Sequence, residues 1–137
     1  MYRSRSMVLS GGLIALAVLV SVTLWPRLPA DVAIHFSATG TPDSYVSKPI
    51  GVALLPVVMV LTLGVMRWAM RHDPPADPQV PAVVTVATMG LLAALHVLVL
   101  GWNLGYPVPY DLVLVGSLVW AAGLCGYAVH REGRPFG

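Results

Sequence analysis

The chain has 137 residues, of which 57% are hydrophobic and only 10% are charged. A soluble domain carries about 25% charged residues, and the mean hydropathy of +0.78 also excludes that class. The formal net charge of +2 supplies no basic stripe that would neutralise nucleic-acid phosphates, so we expect no nucleic-acid partner. Cys125 is the only cysteine, which excludes an intrachain disulfide and a CxxC metal knuckle.

The first predicted element is a membrane-spanning helix over residues 7–25. Arg3 and Arg5 precede this apolar run, a combination that also occurs in signal peptides. The run is longer than the apolar core of a signal peptide, and no clean cleavage site of small residues follows it. We therefore expect an uncleaved transmembrane helix.

A polar loop over residues 26–49 follows and is rich in turn-forming residues. Gly40 permits positive φ, and we predict a turn at residues 41–44. Alternating apolar residues predict a short extended segment in which Ile34 and Phe36 face the helices below. A loop of this length usually has a function, so we expect it to be structured.

Three more spans follow, over residues 50–70, 80–102 and 110–129. About 20 helical residues cross the 30 Å apolar core of a bilayer, and backbone groups in lipid must bond to one another, so each run predicts a helix. A proline-rich linker over 71–79 joins the second span to the third, and a tail over 130–137 follows the fourth. The predicted fold is an all-α integral membrane protein with four transmembrane helices and a structured loop between the first two.

The basic residues predict the orientation of these spans. Six would lie on one side of the membrane, and two, Arg27 and Lys48, on the other; the six are Arg3, Arg5, Arg67, Arg71, Arg131 and Arg134. Because basic residues accumulate on the cytoplasmic side, we expect both termini in the cytosol of a prokaryote and the 26–49 loop outside its plasma membrane.

His96 is the ionisable residue that lies well inside a predicted span. Such a residue is a candidate for a functional role, although neutral imidazole is much cheaper to bury than a carboxylate. One hydrogen bond to Ser117, to Thr62 or to a carbonyl freed near Pro56 would satisfy it. A structural hydrogen bond and a proton-relay or ligand role are both open.

Small residues on the first and fourth spans suggest where helices approach each other closely. These are Gly11, Gly12 and Ala15 on the first span, and Gly116, Gly123, Cys125 and Gly126 on the fourth. We expect them to pack within the bundle of one chain.

The loop carries an ordered string of residues that resembles a known family. The string runs Trp25-Pro26-x-Leu28-Pro29, then Ile34-His35-Phe36-x-Ala38-x-Gly40-x-Pro42-Asp43-x-Tyr45-x-Ser47-Lys48, then Leu54-Leu55-Pro56. It resembles, over about residues 20–60, the prokaryotic membrane domain numbered 1648 among the domains of unknown function. That domain forms the N-terminal part of SdpI-like immunity and signalling proteins. Ser37 replaces the family's Asn, and no Gly-x-Arg-Thr motif follows later, so the resemblance extends to the N-terminal domain alone.

The resemblance implies a protein that recognises an extracytoplasmic peptide, toxin or other membrane partner and serves immunity or signalling. The residues that it implies for partner binding are His35, Phe36, Gly40, Asp43, Tyr45, Ser47 and Lys48, with the intramembrane His96 beneath them. Two alternatives are open. One is a small transporter or lipid-handling protein that uses His96 and the Pro56 kink; the other is a structural subunit of a larger membrane complex.

Neither catalysis nor a metal site is expected from the residues themselves. The chain has no HExxH or GxSxG motif and no nucleotide-binding fingerprint, so we expect neither an enzyme nor a cofactor. Asp31, His35 and Asp43 are possible metal ligands, but positions four apart in an extended segment lie about 13 Å from each other. His35 is instead expected to hold the loop by bonding to a backbone carbonyl or to Asp43.

Overall fold

The computed structural model describes residues 2–133 and places four long helices around a short β-hairpin. In chain order the elements are α1 (Tyr2–Leu24), a 3-10 turn (Trp25–Arg27), β1 (Asp31–Phe36), β2 (Pro42–Ser47), α2 (Lys48–His72), α3 (Gln79–Asn103) and α4 (Tyr110–Glu132). Each of the four helices is long and apolar enough to cross a membrane. The predicted four-helix membrane fold is confirmed, and the predicted structured loop contains a two-stranded antiparallel sheet.

The helices are longer than the predicted spans, because they continue beyond the apolar core. A helix of 23 or 25 residues rises about 35 Å, against about 30 Å of hydrocarbon. α1 therefore already includes Arg3, and α4 includes Arg131. The helix continues into the tail predicted over 130–137, since α4 runs to Glu132 and ends at Gly133, whose φ is +60°; residues 134–137 lie outside the described part of the chain.

α3 is the central helix of the bundle and packs against α1, α2 and α4. The core comprises Ala17, Met59, Met89 and Ala93, one or two from each of the first three helices. α4 stands at the edge: in the described part of the chain it packs against α3 and buries none of its residues. Its apolar side chains are therefore left to lipid or to another protein.

The small residues predicted to pack inside the bundle lie on outward faces instead. On α1 the buried residues are Ser6, Ser10, Ala17 and Ser21, which share one face at helical spacing. The glycines at 11 and 12 and the alanine at 15 are exposed, as are the glycines at 116, 123 and 126. Helix contact here depends on serine and alanine rather than on glycine.

The bundle has two chemically different ends. The hairpin end carries β1, β2 and the turn over residues 104–109; the linker end carries residues 73–78, the start of α1 and the end of α4. At the linker end Arg131 Nε donates to Asp77 Oδ2 at 2.6 Å, and the Glu132 carboxylate accepts from the backbone N–H groups of Ala76 and Asp77 at 2.8 and 3.1 Å. Arg131 Nη2 also donates to Gln79 Oε1 at 2.8 Å, and Gln79 Nε2 donates to the Tyr2 hydroxyl at 2.9 Å. The linker is thus fastened to both terminal helices.

Candidate functional site

The hairpin is irregular at the place where its candidate residues lie. The strands pair from Asp31 opposite Ser47 to Ala33 opposite Tyr45, and the register then shifts on both sides of His35. Ile34 and Asp43 consequently have no directly opposed partner, the arrangement of β-bulges. Bulges redirect side chains that a regular strand would separate.

The turn of the hairpin lies earlier than predicted. The Ser37 N–H donates to the Thr41 carbonyl at 2.8 Å, and the Gly40 N–H donates to the Ser37 carbonyl at 2.9 Å. Gly40 has φ of +80°, and a Cβ there would lie 3.1 Å from the Tyr110 Cβ. The turn predicted at 41–44 is therefore wrong, because residues 42–44 belong to β2. Gly40 serves both the turn and the close approach to α4.

His35 and Asp43 form an exposed pair on the outer surface of the hairpin. His35 Nδ1 lies 2.6 Å from Asp43 Oδ1, and the two side chains are 70% and 45% exposed. Since a carboxylate only accepts, the ring donates through Nδ1; when the ring is neutral, Nε2 is then an acceptor on a largely exposed side chain. The predicted contact between His35 and Asp43 is thus present.

An apolar cavity lies between the hairpin and the start of α4, and the hairpin reaches it through Phe36, the residue after His35. Phe36 packs edge-on against Trp102 with centroids 5.2 Å apart, and against Tyr110 at 6.2 Å. The cavity has a volume of about 320 Å³, and Phe36 and Gly40 form part of its wall together with side chains of α3 and α4. Its one serine, Ser117, already donates to the Val113 carbonyl at 2.7 Å. This space suits an apolar group.

Asn103, at the end of α3, anchors β1 to the bundle. Its Oδ1 accepts from the Ala33 N–H at 2.8 Å, and its Nδ2 donates to the Ala33 and Val99 carbonyls at 2.9 and 2.8 Å. Next to Ala33, Val32 is fully buried against Gly51, where an added Cβ would lie 2.7 Å from the Val32 Cβ. The buried residues of β1 are thus Val32 and Ala33, whereas the predicted Ile34 and Phe36 are half-buried.

The seven predicted partner-binding residues fall into two groups. The exposed group is His35, Asp43, Tyr45 and Ser47. Phe36, Gly40 and Lys48 instead face the protein. Lys48 Nζ donates to the Trp25 carbonyl at 3.1 Å and lies 4.9 Å from the centroid of that indole, so it fixes the end of α1. The first group is available to a partner, and the second holds the hairpin in place.

His96 lies below the hairpin in a hydrogen-bonded junction of three helices and is 1% exposed. Its Nε2 is 2.7 Å from Ser21 Oγ, which in turn lies 2.9 Å from the Val52 carbonyl oxygen. Pro56, four residues after Val52, has no N–H and leaves that carbonyl without its helical donor. Ser21 Oγ also lies 3.1 Å from the Ala17 carbonyl of its own helix. The Val52 carbonyl, which lacks its helical donor, is satisfied when His96 Nε2–H donates to Ser21 and the Ser21 hydroxyl donates to Val52.

The partner of His96 was only partly predictable. The Pro56-freed carbonyl is used, as expected, but Ser21 takes it and stands between it and the imidazole. Ser117 bonds to its own helix instead. The signal that sequence reasoning missed was Ser21 itself, a hydroxyl inside a span that needs a polar neighbour.

The described residues do not bring a metal-ligand set together. Within residues 2–133 no group of three or more His, Cys, Asp and Glu side chains converges as metal ligands would. Asp31 pairs with Ser47 at the far end of β1, away from His35 and Asp43. The chemistry that the hairpin offers is hydrogen bonding beside an apolar cavity.

Four apolar helices with a capping hairpin define a multi-pass helical membrane protein. The family described as "Domain of unknown function (DUF1648)" matches residues 12–60, which confirms the resemblance inferred from the loop. The chain is also 39% identical over 64 residues to "Uncharacterized membrane protein YbgB" of Bacillus subtilis (strain 168), a match that covers 47% of this chain. The matched segment spans 65% of that relative's length. No solved structure matches.

Proposed function

We propose that the hairpin of this membrane protein recognises an extracytoplasmic peptide or membrane partner, without catalysis, in an immunity or signalling role like that of the SdpI-like proteins. The observation that carries the proposal is a hairpin that presents the exposed His35–Asp43 pair and, through Phe36 and Gly40, forms part of the wall of the 320 Å³ apolar cavity. The acceptor at His35 Nε2 suits a donor such as a peptide N–H or an ammonium group. The cavity would take an apolar side chain of the same partner.

The orientation that this proposal needs has support from charge. Five of the described basic residues, Arg3, Arg5, Arg67, Arg71 and Arg131, belong to the linker end, whereas Arg27 and Lys48 belong to the hairpin end. The positive-inside rule then directs the linker end to the cytosol and the hairpin to the outside. The relative in a bacterium favours the cytoplasmic membrane of a prokaryote as the location.

The transporter alternative, which uses His96 and the Pro56 kink, has less support. A transport path needs polar groups that line a passage through the helices. His96 is 1% exposed, and its Nε2 is engaged by Ser21. The cavity beside the hairpin is lined neither by His96 nor by Pro56. A structural hydrogen bond accounts for these observations.

Photo-crosslinking in intact cells tests the proposal. A benzoylphenylalanine at position 45, which is 57% exposed as Tyr45, should give a discrete adduct. His35→Ala and Asp43→Ala should each reduce its yield about tenfold, because each breaks a hydrogen bond that involves a charged group. Ser44→Ala is the matched control and should leave the adduct unchanged, since Ser44 is an exposed residue of the same strand that lies between Asp43 and Tyr45.

Two results would contradict the proposal. One is an equal yield of adduct from His35→Ala, Asp43→Ala and Ser44→Ala at equal membrane levels. The other concerns orientation. In a Cys125→Ser background, a membrane-impermeant maleimide should label Ser44→Cys in intact cells and should reach Asp73→Cys only after the cells are opened. The reverse labelling would exclude an extracytoplasmic partner.

A further inference from the structure

The linker end contains a cavity of about 450 Å³ that is lined by three guanidinium groups. Arg3 comes from the start of α1, and Arg67 and Arg71 come from the last turns of α2. Arg3 and Arg71 are exposed, and Arg67 is half-buried. Three cations from two helices therefore face one space, although like charges at close range repel each other.

None of these three arginines forms an ion pair with a carboxylate of the described residues. In residues 2–133 the ion pairs within 4.0 Å are Arg131–Asp77 and His35–Asp43, so neither pair involves the cavity. Arg67 Nη1 donates to the Met7 thioether at 2.8 Å, and sulfur is a weak acceptor. The guanidinium donors thus have capacity for an anion that is not part of this chain.

The remaining walls of the cavity indicate the kind of anion. They are mostly apolar and include Met7, Met70, Ala82 and the linker prolines 74, 75 and 78. Proline has no N–H and offers no donor of its own. A cavity lined by three arginines and by apolar side chains, at the end of three membrane-spanning helices, has the chemistry of the boundary where a phospholipid changes from phosphate to acyl chain.

We propose that this cavity binds the phosphate of an anionic phospholipid, held by Arg3, Arg67 and Arg71. Guanidinium forks match phosphate oxygens in geometry and charge. The apolar walls would receive the first part of the acyl chains, which a free phosphate lacks. This site lies at the opposite end of the bundle from the hairpin, so the two proposals are independent, and a test of one does not decide the other.

Native mass spectrometry of the full-length protein tests the site. The protein is titrated with phosphatidylglycerol, with zwitterionic phosphatidylcholine and with inorganic phosphate. Arg67→Gln/Arg71→Gln should weaken phosphatidylglycerol binding about 30-fold, since a basic residue near an anionic lipid strengthens binding roughly fivefold. The control, Arg5→Gln/Arg27→Gln, removes the same charge but spares the cavity, so it should bind phosphatidylglycerol as the unaltered protein does.

Each outcome decides the matter. Preferential retention of phosphatidylglycerol that is lost in the cavity variant and kept in the control supports the site. Equal binding by both double variants overturns it, as does equal retention of phosphatidylcholine. Inorganic phosphate that binds alone and displaces the lipid overturns the lipid assignment. Should the double variant unfold, Arg71→Gln, at an exposed position, should weaken phosphatidylglycerol binding about fivefold, and unchanged binding would refute the proposal.

Discussion

At the hairpin end the bundle is closed by buried backbone hydrogen bonds and apolar contacts, whereas at the linker end it is closed by charged side chains. Asn103 holds both backbone groups of Ala33, which is fully buried. Arg131 and Glu132 hold a linker around Asp77 that water reaches. Exposed ion pairs contribute little and are screened by salt, so the hairpin should be rigid under most conditions and the linker sensitive to pH and salt.

The largest expected effect is at the hairpin end, in Asn103→Ala. This change removes three hydrogen bonds and leaves the buried Ala33 N–H without its partner, which should cost about 3 kcal/mol of unfolding free energy. Chemical unfolding in detergent micelles measures the cost, and hydrogen exchange at the Ala33 amide locates it. Asn103→Asp keeps an acceptor for the Ala33 N–H but places a carboxylate oxygen against the Ala33 and Val99 carbonyls, so it should not restore the stability. A cost of under about 0.5 kcal/mol for Asn103→Ala would show that other contacts hold the hairpin.

A smaller effect is expected from Gly51→Ala, which tests the contact between hairpin and α2. The added methyl would lie 2.7 Å from the Val32 Cβ and must displace β1, at about 2 kcal/mol. Gly64→Ala is the matched control in the same helix, because a Cβ there meets nothing within 4 Å and alanine favours helices. Val32→Ala should restore part of the loss in the double variant. Equal behaviour of the two glycine variants would mean that Val32 does not press on α2.

The smallest effect is expected at the linker end, in the acid response of Asp77. The hydrogen bond from Arg131, followed by the one from the Gln79 N–H, holds the pKa of Asp77 below its ordinary value of 3.8. Because the folded pKa is the lower one, this carboxylate stabilises the fold above the ordinary pKa and loses that contribution as the pH falls through the lowered pKa. Below about pH 4, the melting temperature of the unaltered protein should therefore fall more than that of Asp77→Asn. Thermal unfolding at a series of pH values measures the difference. Parallel curves for the two proteins would refute the coupling.

The sequence predicted the parts of the fold that depend on apolar length. Spans could be assigned because lipid requires about 20 apolar residues and leaves the helix as the way to satisfy the backbone. Their ends were less predictable, since Arg3 or Arg131 ends an apolar run without ending a helix. In the loop, Pro42 and Asp43 are turn-formers by type, yet they begin a strand whose bulge places Asp43 against His35.

The contacts that build the candidate site were beyond sequence reasoning because they join distant parts of the chain. Asn103 and Ala33 are 70 residues apart, and His96 and Ser21 are 75 apart. Asn103 follows an aromatic boundary residue and looks like an ordinary end of a helix. Local pattern states that His96 needs a partner, but only the packing of α1 on α3 selects Ser21.

The junction at Ser21 also has a consequence for the order in which the helices enter the bilayer. Alone in lipid, α2 would carry the Val52 oxygen without a donor, and hydrocarbon offers no water to replace it. The missing hydrogen-bond donor is Ser21 of α1. This helix is synthesised first and can already span the membrane when α2 is inserted. Ser21, on the first span, then caps the gap that Pro56 makes in the second, and His96, on the third span, adds the last hydrogen bond of the chain.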